Sequence, residues 1–314
     1  NRSTAKVPSA RRNFIRLMLD RLQAVSSRNM YSEHGFDALI RPELGTVCHL
    51  LIVVSYWTPG SALAQAPNDP LSWLGRISNA AHKLNYTGTF TYQSGKNIET
   101  SRIAHFVDAN GDEHERLEAL DGSPREVVRN QEEVQCFLPD QKLLIIDQSS
   151  ARRSFPARLP QSPAALGEHY RIRKGESVRI AGLESQQIIL EPKDNLRYGH
   201  QFWADMNSGL LLRARLIDEK GDSIEQFAFS EVQIGGAPDK DKVRAHIVRD
   251  PDWKVVNARG TEVRMEDSGW AFRNTLPGYR QVVSVLRQIR QDRPEAYHVV
   301  FSDGLSAVSV FIEP

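Results

Sequence analysis

Tyr86-Thr87-Gly88-Thr89-Phe90-Thr91-Tyr92 decides the fold class. Aromatic rings or a glycine alternate with threonines, a period of two built from strand-favouring residues. Ser94-Gly95-Lys96-Asn97 turns the chain into a second strand over 98–107, and Asn110-Gly111-Asp112 turns it again into 115–120. Asp121-Gly122-Ser123-Pro124 precedes 125–129, and Pro139-Asp140-Gln141-Lys142 separates 133–138 from 143–147. Turn signals at such short intervals predict an antiparallel meander. The lack of long helical patterns between the strands argues against a parallel α/β sheet.

Upstream, Asp69-Pro70 is a capping carboxylate followed by a proline at the first helical position. Leu74, Ile77, Ala81 and Leu84 then recur at helical spacing beside Trp73, with Arg76, His82 and Lys83 off the stripe. The spacing predicts a helix that covers one face of the sheet. Downstream, residues 149–167 hold Pro156, Pro160 and Pro163 and the basic trio Arg152, Arg153 and Arg158, a long loop of functional or plain crossover character. Strand patterns resume at 170–173, 177–181, 186–191, 199–205, 210–218 and 224–234, with turns at Asn207-Ser208-Gly209 and Glu219-Lys220-Gly221-Asp222. About eleven strands result, enough to curl into a deep half-barrel.

Residues 236–242 are small, polar and charged, as in a linker. Beyond them, Trp253, Trp270 and a Val282/Val283/Leu286/Ile289 stripe suggest a small α+β domain over 243–314. It ends in a hairpin, because Asp303-Gly304 stands between alternating apolar runs. The sequence stops at Pro314 directly after that strand, which leads to the expectation that further sequence follows.

The other end reads as a leader. Cys48-His49-Leu50-Leu51-Ile52-Val53-Val54-Ser55-Tyr56-Trp57 is too short to span a bilayer, and Ala62-Leu63-Ala64 follows as a cleavage site. Residues 1–64 are therefore expected to be a leader with a signal peptide, cleaved after Ala64. Arg11-Arg12 is placed too far upstream to make a convincing twin-arginine signal. The first 64 residues carry eight Lys/Arg against four Asp/Glu, and the remaining 250 carry 32 against 35. The mature chain is thus slightly acidic, with no nucleic-acid footprint. Its single cysteine, Cys136, cannot form an intrachain disulfide and reads as a buried strand residue.

A search for catalytic chemistry finds no nucleophile elbow, zinc-binding helix, phosphate loop or paired C-x-x-C. The seven mature histidines show no i, i+4 ligand spacing, and Glu113-His114-Glu115 reads as turn charge rather than half a metal site. No enzyme, cofactor or metal is expected.

Residues 86–107 resemble the opening of the periplasmic sigma-E regulator family, MucB/RseB. The likeness continues through Glu115-Arg116-Leu117, residues 120–129, Arg197-Tyr198-Gly199, residues 205–214 and residues 301–314. It runs in order through the whole mature chain; the long leader and the stop at Pro314 depart from the family pattern. The resemblance implies a mainly β fold: a LolA/LolB-like antiparallel half-barrel with covering helices over 65–235, then the small C-terminal partner-binding domain. It implies no chemistry. Such a protein binds the periplasmic part of a membrane anti-sigma factor and protects it from regulated proteolysis. Lipopolysaccharide or the acyl chains of mislocalised lipoproteins release it. The competing expectation is a periplasmic lipid or lipoprotein carrier of the LolA type, which would need only the half-barrel. Candidates for the lipid cavity are Leu74, Ile77, Ala81, Leu84, Phe90 and Tyr92, with ordinary core packing as the alternative for each. Arg152, Arg153 and Arg158 are candidates for anionic groups, and homo-oligomerisation stays open.

Overall fold

The computed structural model describes residues 69–148, 159, 165–237, 239–273, 276–288 and 294–313. The leader, its cleavage site and Arg152, Arg153 and Arg158 lie outside the described residues.

Helix α1 is Pro70–Lys83. Asp69 caps it: the carboxylate Oδ2 accepts from the Ser72 backbone N–H and hydroxyl, each at 2.8 Å. Eleven strands follow, from β1 (Tyr86–Ser94) and β2 (Asn97–Val107) through β3 (Glu113–Ala119), β4 (Glu126–Arg129), β5 (Glu133–Leu138) and β6 (Leu143–Gln148). A short helix α2 (Leu166–His169) leads into β7 (Tyr170–Ile180), β8 (Leu183–Pro192), β9 (Gly199–Asp205), β10 (Leu211–Ile217) and β11 (Ser223–Ile234). The segments 170–173 and 177–181, read from sequence as two strands, are one. The pairing of β7 with β8 slips between Lys174 and Ser177, and this bulge breaks the alternation without ending the strand.

These strands join a twelfth, β12 (Lys254–Asn257), in one open sheet, ordered β12-β6-β5-β4-β3-β2-β1-β11-β10-β9-β8-β7. β1 sits mid-sheet between β2 and β11, so Tyr86 faces both His105 and Ile234. Gly88 is required there: a Cβ would stand 2.6 Å from the Glu231 carbonyl and 2.8 Å from the Phe229 ring. The mainly β fold, the open sheet and the covering helix are as the sequence indicates.

Residues 236–242 are not extended throughout. Asp239 caps a helical turn, α3 (Lys240–Val243), whose Val243 packs on Ala104 and Phe106. The chain beyond crosses the outer face of the sheet. Glu126, 1% exposed, accepts from the backbone N–H groups of His246 and Ile247 at 2.9–3.0 Å and from Arg116. It then adds β12 (Lys254–Asn257) in parallel to β6.

A second sheet follows, with β13 (Thr261–Glu262), β14 (Arg280–Arg287), β15 (Ala296–Ser302) and β16 (Ala307–Ile312) in that order. The valine stripe differs from the mixed-domain expectation: Val282, Val283 and Leu286 lie on β14, while Ile289 is outside the described residues. Among the described residues from 254 onward there are strands and a 3-10 turn at Met265–Ser268, but no α-helix. Short apolar runs fit either period, and β-branched valine favours the strand.

Candidate functional site

The stripe of α1 and the inner faces of β1 and β7–β11 meet in one apolar cluster. Leu74 and Ile77 are fully buried and belong to it with Trp73 and Phe90; Ala81, on the same helix face, is 1% exposed. Phe90 meets Phe227 and Phe229 edge to face, with centroids 5.7 and 6.0 Å apart, and those two rings lie 5.4 Å apart. Leu84 and Tyr92 are half-buried and pack against the same cluster. Leu84 is not on the helix but is its C-terminal cap, in extended conformation. Leu74, Ile77, Leu84, Phe90 and Tyr92 thus belong to or pack against one cluster between the helix and the sheet, and Ala81 is buried on the same helix face.

Residues off the stripe fasten the helix. The Arg76 guanidinium donates to the Asn207 carbonyl and lies 5.1 Å from the Trp73 ring centroid. His82 Nδ1 stands 2.8 Å from Glu113 Oε1 on β3. Around Glu113 the inner face turns polar. His105 Nε2 and an Arg129 nitrogen each approach Glu113 Oε2 at 3.5 Å, and Arg129 reaches Glu115 at 3.3 Å. Burial pushes the Glu113 carboxyl up, but hydrogen bonding and charge from the two histidines, with Arg129, outweigh it and hold it well below the usual range. Burial wins at Glu115, whose carboxyl is raised despite Arg129. At Glu99 burial also outweighs Arg125, and the carboxyl is pushed up to about 7. Among the described residues no cluster of His, Cys, Asp and Glu is arranged to hold a metal.

Near the start of α1 a cleft of about 420 Å³ is lined by Asp69, Pro70, Leu71, Gly167, Tyr170, Arg171, Ile172 and Lys193. Leu71, Tyr170 and Ile172 also belong to or pack on the apolar cluster, so the cleft borders the core. Its charged lining is mixed: Asp69 caps the helix, Arg171 stands 3.8 Å from Glu191, and Lys193 Nζ donates to the Gly167 carbonyl at 2.7 Å.

The cleft's Tyr170 touches the second sheet. Its hydroxyl stands 3.2 Å from Asp303 Oδ2, which also accepts from Arg197 Nε at 2.8 Å. The side chains of Arg197 and Asp303 are both fully buried. Tyr170, Arg197 and Asp303 were not singled out from sequence. Arg197 lies in a stretch that carries the family likeness, and Asp303 in the Asp-Gly hairpin signal, but only the fold shows that they meet.

Two family descriptions match the chain: the MucB/RseB N-terminal domain over 69–247 and the MucB/RseB C-terminal domain over 264–314. The chain belongs to the MucB/RseB family. The sigma factor AlgU regulatory protein MucB of Pseudomonas aeruginosa is 30% identical over 246 residues, covering 78% of this chain and 75% of that protein. The sigma-E factor regulatory protein RseB of Salmonella typhimurium is 27% identical over 253 residues, covering 79% and 77%. Among solved structures, the complex of Pseudomonas aeruginosa MucA and MucB matches with a TM-score of 0.60 at 30% identity, covering 78% of this chain and 80% of that one. The two MucB/RseB descriptions divide between the sheets: the first ends within the segment that crosses Glu126, and the second holds β14–β16.

Proposed function

We propose that this chain is an exported, periplasmic, non-enzymatic regulator of an envelope-stress sigma factor. In this reading it binds the periplasmic segment of a membrane anti-sigma factor and shields it from the first regulated protease cut. An acylated ligand, lipopolysaccharide or a mislocalised lipoprotein, opposes that binding and so starts the response. The observation that carries the proposal is the match to both MucB/RseB domains, together with a relative solved in complex with the periplasmic part of MucA. The apolar cluster beneath a separately fastened helix supports the lipid half, since acyl chains need a dry receiving surface. Leu74, Ile77, Ala81, Leu84, Phe90 and Tyr92 are the residues that would receive them, once α1 moves or the cluster opens.

The test is a binding and cleavage assay with the periplasmic segment of the cognate anti-sigma factor. The purified protein should bind the segment and slow its cleavage by the first regulated protease; lipopolysaccharide or a synthetic triacylated lipopeptide should reverse both effects. Lipid binding without any affinity for the segment would replace this reading with a carrier.

A further inference from the structure

The tip of the β15–β16 hairpin, residues 303–306, is fixed within its own turn and also anchored to the large sheet. Asp303 Oδ1 accepts from the backbone N–H groups of Leu305 at 2.9 Å and Ser306 at 2.7 Å, which fixes the turn. Its Oδ2 accepts from Arg197 and Tyr170. Arg197 also contacts Asp194 and donates to the Pro277 carbonyl, and its guanidinium lies 5.1 Å from the Tyr279 ring centroid. Leu305 packs against the apolar cluster of the large sheet. The approach is close on the neighbouring turn too, where a Cβ on Gly278 would collide with the His169 imidazole.

Tyr170 belongs to each part of this arrangement. Its ring is 1% exposed within the apolar cluster, it lines the cleft beside Leu71 and Ile172, and its hydroxyl helps to hold the hairpin tip. An apolar chain that passes from the cleft into the cluster meets that ring, with Leu71 and Ile172 beside it. Displacement of the ring removes one donor from a fully buried carboxylate and loosens the seat of Leu305.

We propose that Tyr170 is the coupling residue through which an acylated ligand entering the cleft frees the hairpin tip of the small sheet. The inference rests on the regulatory reading above and adds the route by which one ligand is felt at the other's domain. Such coupling requires a contact that differs between the two bound states, and the Tyr170–Asp303 hydrogen bond is that contact. Burial and the neighbouring Asp303 charge keep the tyrosine hydroxyl protonated, so it remains a donor across the physiological range.

Tyr170→Phe keeps the ring and removes only the hydroxyl. The full chain is titrated with labelled anti-sigma segment, with and without saturating triacylated lipopeptide, after thermal unfolding has shown the variant folded. In the native protein the lipopeptide should weaken segment binding by about 5- to 150-fold. In Tyr170→Phe both ligands still bind, but the weakening should shrink to within about twofold. Leu305→Ala, which trims the tip without touching the cleft, should shrink it likewise and serves as the test if Tyr170→Phe does not fold. Full weakening retained in the variants would overturn the coupling route. No weakening in the native protein would instead overturn the regulatory reading on which the route depends.

Discussion

The two sheets are built on opposite principles. The large one folds around a continuous apolar cluster, with Trp73, Leu74, Ile77, Ile103, Ile188, Leu210 and Leu212 at 0–1% exposure. The small one leaves Val282, Val308, Phe311 and Trp270 at 39–54% exposure and, among its described residues, buries the apolar side chains of Met265, Tyr279, Val285, Ala296 and Val299. Such a core is too thin to stabilise four strands alone. The small sheet is tied to its neighbour by the Arg197–Asp303 pair, by Leu305 packed on the apolar cluster and, on the other flank, by an Arg287 nitrogen 3.8 Å from Asp147. A domain held mainly through a few buried contacts can be released by a ligand that disturbs those contacts.

The contrast breaks first under charge. Ile77→Asp buries a carboxylate in the dry cluster and should cost about 4 kcal/mol or more, read as a fall in the urea midpoint of the whole protein. If the cluster opens readily for acyl chains, the fold will survive and lipid binding alone will be lost. Asp303→Ala leaves Arg197 buried with Asp194 as its remaining carboxylate and should cost about 3 kcal/mol, confined to the small sheet. An early unfolding step in the small sheet, with the large sheet's transition unmoved, is the expected signature; loss of both together would show that the sheets are one cooperative unit.

Between about pH 4.5 and 6.5, Glu99 and His298 should make the pH responses of the two sheets slope in opposite directions. Glu99 in the large sheet is held at about 7 against an ordinary 4.5, so its folded form binds a proton more tightly than the unfolded chain. Its contribution is complete below pH 4.5 and is lost as pH rises towards 7, worth about 3 kcal/mol at most. Glu99→Gln should flatten that slope. His298 in the small sheet, stacked on Phe311 at 4.3 Å, is pushed down to about 4 by burial, with Arg287 adding to the shift. Its contribution is present above pH 6.5 and is lost as pH falls through 4, again about 3 kcal/mol at most. His298→Phe should abolish the acid-side loss. At the small end, Val282→Asp on the exposed face of β14 should change stability by no more than about 0.5 kcal/mol. A larger loss would mean that this face is covered in solution.

What the sequence made legible follows from distance along the chain. Asp69-Pro70, the helix stripe and the Gly-Asp-Asn turns act within a few residues, and they mark α1 and nearly every strand from β1 to β11. Pairings across long separations leave no local trace. Nothing in Lys254–Asn257 signals a parallel partner at Leu143–Ile146, and nothing in Arg197 signals Asp303. The six cavity candidates were legible as an apolar face. Whether that face is a core or a receptacle depends on how α1 is fastened, through Arg76 and His82, which a hydrophobic pattern ignores. Gly175, at the bulge in β7, shows the same limit, since the bulge reads from sequence as the end of a strand.

The central claim is that the small sheet is held by the large one through contacts that an acylated ligand disturbs. Native-state hydrogen exchange of the full chain tests it most directly, by following the amides of β14–β16 and of residues 303–306 with and without saturating triacylated lipopeptide. The account predicts that lipopeptide lowers protection across the small sheet while β8–β10 stay protected, and that the anti-sigma segment raises it. Unchanged protection in β14–β16 at saturating lipopeptide would contradict the account.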